Sequence, residues 1–335
     1  MVQFNPTFLL KNKHLQTVYA TFFRKPIQLA TTCEVFELGD GDFVDCYWLN
    51  KPDQGSATPI VVLFHGLEGS HKSPYIQGAM QTLMEGGYAC VLMHFRGCSG
   101  RDNRLPKTYH SGQTSDAKAW IEHIKKTFPN APLFAVGYSL GANMLLKLLG
   151  EYEHNSPLKA AIAISAPMQL DISADAISHG SSRLYESHLL RSLKATLLQK
   201  YKQHDMEALL GKSPEQIQRI STIREFDDIY TSKINGFYGA QDYYIKNSAK
   251  QFLPNIKTNT LIIHALDDPF MTPSVLPEQN NAFNGIASNI EMEIHQHGGH
   301  VGFVMSSVFK PIYYMEHRIL GYFNQQRSQL ATKPK

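Results

Sequence analysis

Net charge is nearly absent from this chain. Lys and Arg number 32 and Asp and Glu 29, which leaves +3 over 335 residues. So small a surplus argues against a nucleic-acid partner, which would need a basic face. Cysteine is scarce. Cys33, Cys46, Cys90 and Cys98 have no metal-type spacing, so free thiols in a cytoplasmic protein are the expectation. No stretch approaches ~18 uninterrupted apolar residues, which excludes a membrane-spanning helix. The opening "MVQFNPTFLLKNKHLQTVYATFF" is no secretory signal, because Asn5, Lys11, Lys13 and His14 break its apolar runs and no cleavage site follows. Repeats and low-complexity linkers are also missing.

The chain is 43% hydrophobic and 18% charged, a balance that supports a large core and disfavours disorder. Its length suits a single α/β domain, residues 1–335, with an insertion. "TCEVFELGDGDFVDCYWLN" reads as a hairpin turning at Gly39–Asp42. "PIVVLFHG" and "YACVLMHFRG" are apolar without alternation, as strands buried on both faces are. A helix is expected from about Tyr75 to Glu85. A second, in "TSDAKAWIEHIKKTF", gathers Trp120, Ile121, Ile124 and Phe128 on one side. "KAAIAISAP", "TNTLIIHALDD" and "NIEMEIHQHGGH" supply further strands, and "SSVFKPIYYMEHRILGYFNQQ" a covering helix. Strands alternating with helices predict a mostly parallel sheet with helices on both faces. The alternation breaks over about 168–250, a helical stretch that reads as a lid.

"FAVGYSLGANMLL" carries the chemistry. An apolar strand meets a helix at Ser139, with Gly137 and Gly141 two residues to either side, and the helical pattern stops at Gly150. This G-x-S-x-G pattern places a nucleophile on a tight strand-to-helix turn, its oxygen projecting into a crevice before a helix N-terminus. Such a serine needs a base and an orienting acid. Among 15 histidines, His300 stands out because Gly298 and Gly299 break the preceding strand and leave it on a loop. His297 flanks the same glycines and is its rival. Asp267 and Asp268 follow "LIIHAL"; Pro269 forces Asp268 into extended backbone, which favours it as the acid. Ser139, Asp268 and His300 thus each fall at a strand's carboxyl end. Leu140 and Leu67 offer backbone N–H groups for an oxyanion hole. His65 reads as an organiser of the loop.

Two other chemistries fit less well. "GLEGSHKS" resembles a phosphate-binding loop, but His71 stands where the wrap needs glycine. "HQHGGH" has no neighbouring acid at metal spacing and no cysteine pair, so His295 and His297 are expected to face solvent or a nearby loop.

The order Ser, Asp, His is that of the α/β-hydrolase fold. Together, "FHGLEGSHKSPY", "HFRGCSG", "YHSGQTSDA", "GYSLGANML", "IREFDD", "HALDDPF" and "HGGHVGF" resemble the YheT-like branch of that superfamily, related to the eukaryotic ABHD proteins and plant EMB8 proteins. The opening "FNPTFLLKNKHLQT" fits as well, so the likeness covers nearly the whole chain. The resemblance implies a serine esterase or lipase acting on carboxylic esters, with the triad on Ser139, Asp268 and His300. Arg96 would brace the site loops, and Asp116 and Asp227 would serve as structural hydrogen-bonders. No cofactor or metal is expected; the partner is a small-molecule ester, with an acyl chain as one option. An acyltransferase with the same triad, or a ligand-binding hydrolase fold, are the alternatives. "LLRSLKATLLQKYKQH" spaces Leu189, Leu190, Leu193, Leu197 and Tyr201 as an apolar helix stripe. Packing on the body, resting on an anionic membrane through Arg191, Lys194, Lys200 and Lys202, and roofing the Ser139 crevice are its three readings.

Overall fold

A computed structural model describes residues 3–277 and 287–332. Eight strands form the main sheet: β1 (Thr32–Glu37), β2 (Phe43–Leu49), β3 (Ile60–Phe64), β4 (Ala89–Met93), β5 (Leu133–Tyr138), β6 (Leu158–Ile164), β7 (Asn259–Ala265) and β8 (Ile290–His295). Their spatial order is β1-β2-β4-β3-β5-β6-β7-β8. β2 pairs antiparallel with β1 and β4, and the other pairs are parallel. The expected hairpin turns at Gly41, whose φ of 85° suits glycine.

The unbroken apolar runs have a direct cause. In β3, Ile60, Val62 and Phe64 enter the core on one face while Val61 and Leu63 enter the core on the other. α1 (Lys13–Phe23) precedes the sheet, α2 (Pro74–Glu85), α3 (Thr114–Thr127) and α4 (Leu140–Tyr152) alternate with its strands, and α2, α3, α4 and the last helix cover its faces. α3 and α4 pack on one side through Trp120, Ile121, Leu145 and Leu149. α2 and the last helix, Tyr314–Thr332, pack on the other through Met80, Leu83, Ile319 and Phe323.

Two boundaries differ from the sequence expectation. α4 runs through Gly150 to Tyr152. Gly150 is a packing residue, since a Cβ there would stand 2.6 Å from the Phe252 carbonyl oxygen. The expected covering helix begins only at Tyr314. Before it, β9 (Val304–Ser307) and β10 (Lys310–Tyr313) form a separate antiparallel hairpin.

Between β6 and β7 lie α5 (Leu170–Ile177), α6 (Arg183–Tyr201) and several shorter helices. Leu190, Leu193, Leu197, Met206 and Ile217 make an apolar cluster of their own there. Two of the expected surface cations are spent on structure. Lys200 is buried, its Nζ donating to the Asn103 carbonyl at 2.5 Å. Lys194 Nζ donates to the carbonyls of Gln218 and Ile220, each at 2.9 Å. The stripe of α6 therefore packs inward and is not a basic membrane-facing face.

Candidate active site

Ser139 is the single residue between β5 and α4. Its backbone sits at φ 52°, ψ −118°, a region that costs about 1–3 kcal/mol for a residue with a side chain. The sheet enforces this through the Ser139 N–H, which donates to the Ile164 carbonyl at 2.8 Å. Both flanking glycines are steric necessities. A Cβ at Gly137 would meet the Gly141 carbonyl at 2.5 Å, and one at Gly141 would meet the His65 carbonyl at 2.5 Å. The second contact seats α4 against the end of β3. It brings the Gly66–Leu67 loop beside the serine, so that a Cβ at Gly66 would lie 3.2 Å from Ser139 Cβ.

His300 Nε2 stands 2.8 Å from Ser139 Oγ, and His300 Nδ1 stands 2.8 Å from Asp268 Oδ2. A carboxylate can only accept, so Nδ1–H donates to Asp268 and Nε2 presents its lone pair to the serine hydroxyl. Asp268 is buried and also accepts the Phe270 N–H at 2.8 Å. The Phe270 ring stacks on the imidazole at 4.0 Å and 12°. Asp267 instead accepts the Gly299 N–H at 2.9 Å, with His297 Nδ1 at 3.3 Å. His295 lies 2.8 Å from Glu293. The three histidines of "HQHGGH" thus face three separate carboxylates.

Several supports were not legible as site residues. The His300 N–H donates to Thr17 Oγ1 of α1 at 3.0 Å, and the Val301 N–H to Ser165 Oγ at 3.1 Å. Gly299, at φ 56°, lets this loop lie on α1, where a Cβ would meet the Lys13 carbonyl at 2.5 Å. The loop and its support are 283 residues apart in sequence, beyond any local pattern.

The loop after β3 is equally built. His65 is fully buried, with Nδ1 2.7 Å from the Gly66 carbonyl and Nε2 accepting the Phe95 N–H at 3.1 Å. Burial, with the nearby His94, pushes His65 down to about 3, so it is a neutral organiser. Glu68, at φ 55°, accepts from Tyr109 Oη at 2.8 Å and from Ser192 Oγ of α6 at 2.5 Å. Among the described residues, the N–H groups of Leu67 and Leu140 have no protein acceptor. Arg96 braces the neighbouring loops by a bidentate pair to Asp116, at 2.6 and 2.7 Å.

Ser139 and His300 open into a cavity of about 1020 Å³. Leu67, Leu140, Leu189, Leu193 and Phe270 are among its walls. Leu197 is not a lining residue and belongs to the apolar cluster between β6 and β7, so of the stripe it is Leu189 and Leu193 that reach the cavity. Asp227 also lines the cavity, and Tyr244 Oη donates to it at 2.8 Å. Burial, opposed by hydrogen bonds from Thr231 and Tyr244, pushes Asp227 up to about 6.

Residues 59–305 match the family described as the alpha/beta hydrolase fold. The chain belongs to that family. This α/β-hydrolase is 41% identical over 320 residues to YheT of Escherichia coli (strain K12), a protein provisionally named an esterase, covering 95% of this chain and 92% of the relative. It is 26% identical over 306 residues to the phospholipase ABHD3 of Mus musculus, covering 89% of this chain and 72% of the relative. Its fold matches the Pyrococcus furiosus esterase Pf2001 with a TM-score of 0.55 at 14% identity, covering 96% of this chain and 99% of the other. At that identity the match speaks for the fold alone. Among the described residues, no helix of the α/β-hydrolase is long and apolar enough to cross a membrane.

Proposed function

We propose that this α/β-hydrolase cleaves carboxylic esters through an acyl-enzyme on Ser139. The observation that carries the reading is the hydrogen-bonded line from Asp268 through His300 to Ser139, with both contacts at 2.8 Å. In the first step, His300 Nε2 takes the hydroxyl proton as Ser139 Oγ bonds to the ester carbonyl carbon. The carbonyl electrons move onto oxygen, and the Leu67 and Leu140 N–H groups hold that oxyanion. Collapse breaks the bond to the alcohol oxygen, which leaves with the proton from His300. Water then attacks the acyl carbon, giving its proton to His300; the second collapse frees the acid and returns the proton to Ser139. Asp268 fixes the imidazole tautomer and stabilises the imidazolium. No cofactor enters this scheme.

The apolar cavity walls favour an acyl chain as the acid part, in keeping with the phospholipase name of one relative. Residues 168–250 act as the lid over that chain. All four cysteines are free thiols, which suits the cytoplasm. The test is labelling with a fluorophosphonate, then turnover of p-nitrophenyl esters of rising chain length. Labelling of the native chain and not of Ser139→Ala is expected; equal labelling of both would overturn the assignment.

A further inference from the structure

The first 33 residues contain Lys11, Lys13, Arg24 and Lys25 but no Asp or Glu, and His300 to Met315 contains Lys310 and no acid. The fold joins these two stretches. Pro6 bridges to Ser306, Tyr19 Oη donates to the Val308 carbonyl, and Arg24 lies 4.0 Å above the Tyr313 ring. α1 also meets the start of α6, where the rings of His14 and Tyr185 stack at 5.9 Å. Arg24 is neutralised by Glu316. Lys11, Lys13, Lys25 and Lys310 are exposed and, among the described residues, have no carboxylate partner.

The same region concentrates exposed apolar side chains. Of the twelve large ones exposed among the described residues, Phe8, Leu9, Phe22, Phe23, Leu184, Phe309 and Ile312 lie on the amino-terminal segment, the β9–β10 hairpin or the start of α6. Phe8 is 88% exposed and Phe309 92%. Isolated exposed apolar residues need no explanation, but several on joined segments that also carry unpaired lysines do. Phe22 and Leu184 also line the cavity that holds Ser139, so the cluster borders its mouth.

We propose that this face docks on an anionic lipid surface. Aromatic and leucine side chains would enter the boundary between headgroups and acyl chains, and the unpaired lysines would meet the phosphates. Charge complementarity selects this occupant, because a face whose carboxylate Glu316 is taken up by Arg24, while Lys11, Lys13, Lys25 and Lys310 stay unpaired, suits a polyanionic plane. Docking would turn the cavity mouth toward the membrane. The inference goes beyond ester hydrolysis and holds whether or not Ser139 is the nucleophile.

The experiment is sedimentation with vesicles of phosphatidylcholine alone, or of phosphatidylcholine mixed with phosphatidylglycerol. The native chain should bind the mixed vesicles and bind neutral ones at least about tenfold more weakly. The double variants Phe8→Ser/Phe309→Ser and Lys11→Glu/Lys310→Glu should each lower partitioning about tenfold or more. These residues lie outside the catalytic and cavity-lining sets, so hydrolysis of soluble p-nitrophenyl acetate should stay unchanged and report an intact fold. Ser139→Ala should bind the vesicles as the native chain does, which separates this proposal from the hydrolytic one. Failure of the native chain to bind mixed vesicles would overturn the proposal, as would full binding by both double variants. Self-association in sedimentation velocity, lost in Phe8→Ser/Phe309→Ser and unaccompanied by vesicle binding, would assign the face to a second copy and overturn it too.

Discussion

Asp268 Oδ2 lies 2.8 Å from His300 Nδ1, while the preceding Asp267 accepts the Gly299 N–H at 2.9 Å. Adjacent carboxylates thus have separable tasks: one meets the imidazole, and the other shapes the loop that carries it. Asp268→Asn should lower kcat on the order of 10⁴-fold, because an amide no longer enforces the productive tautomer. Asp267→Asn should cost roughly tenfold, by loosening the loop. Turnover of p-nitrophenyl butyrate by both variants decides it. A larger loss in Asp267→Asn would move the acid by one residue.

Ser139 carries backbone strain as well as a hydroxyl. Ser139→Ala should lose activity by roughly 10⁴–10⁶-fold and remain folded. Ser139→Gly should be equally inactive but melt higher than Ser139→Ala by about 2 °C, because glycine tolerates the φ of 52°. Calorimetry on the two variants tests this; equal melting temperatures would mean the turn stores no strain.

Features fixed by local pattern were legible in the sequence, and features fixed by distant contact were not. Apolar runs located β3 to β7, and the pairs Gly137/Gly141 and Gly298/Gly299 located the turns that present Ser139 and His300. Thr17 and Ser165 were not legible because nothing near them in sequence marks them; each matters through a partner far along the chain. "SSVFKPIYY", expected as the start of the covering helix, differs for another reason. Val304 to Tyr313 pair as a hairpin instead, held from a distance by Gln16 of α1, which accepts the Val304 N–H at 2.7 Å.

The glycines around Ser139 should respond differently to a methyl group. Gly141→Ala would force a Cβ to 2.5 Å from the His65 carbonyl, where backbone meets backbone. A loss of about 1–3 kcal/mol or more is expected. At Gly66 the Cβ would stand 3.2 Å from Ser139 Cβ and near the Tyr75 hydroxyl, and small shifts relieve it. Gly66→Ala should therefore keep its stability while kcat falls about tenfold through displacement of the serine. Urea unfolding alongside kinetics separates the two; a stable, active Gly141→Ala would refute the steric account.

Asp227 gives stability a pH dependence of known sign. Its pKa is raised from 3.8 to about 6, chiefly by burial. The folded state then holds a proton that the unfolded state has released, so this group's contribution to stability falls as pH rises from about 4 through 6. Asp227→Asn removes the titration. The variant should gain stability relative to the native chain as pH is raised over that window, and the gain should level off above it. Melting temperatures of both proteins from pH 4 to 8 test this, and a constant difference across the range would contradict the burial of the charge.

Leu193 and Leu197 lie one helical turn apart on α6 but face different surroundings. Leu193 reaches the cavity and the apolar cluster between β6 and β7, whereas Leu197 belongs to the cluster alone. Leu189 lines the cavity as well. A buried methylene is worth roughly 0.8 kcal/mol, so a wall that touches several carbons of an acyl chain can alter selectivity about tenfold or more. Leu189→Asp and Leu193→Asp should lower kcat/KM for p-nitrophenyl octanoate at least about tenfold more than for the acetate. Leu197→Ala should instead lower stability by about 2–5 kcal/mol and leave the ratio of the two esters unchanged. Equal losses across the chain-length series in the aspartate variants would take α6 out of the substrate pocket and leave it a packing element.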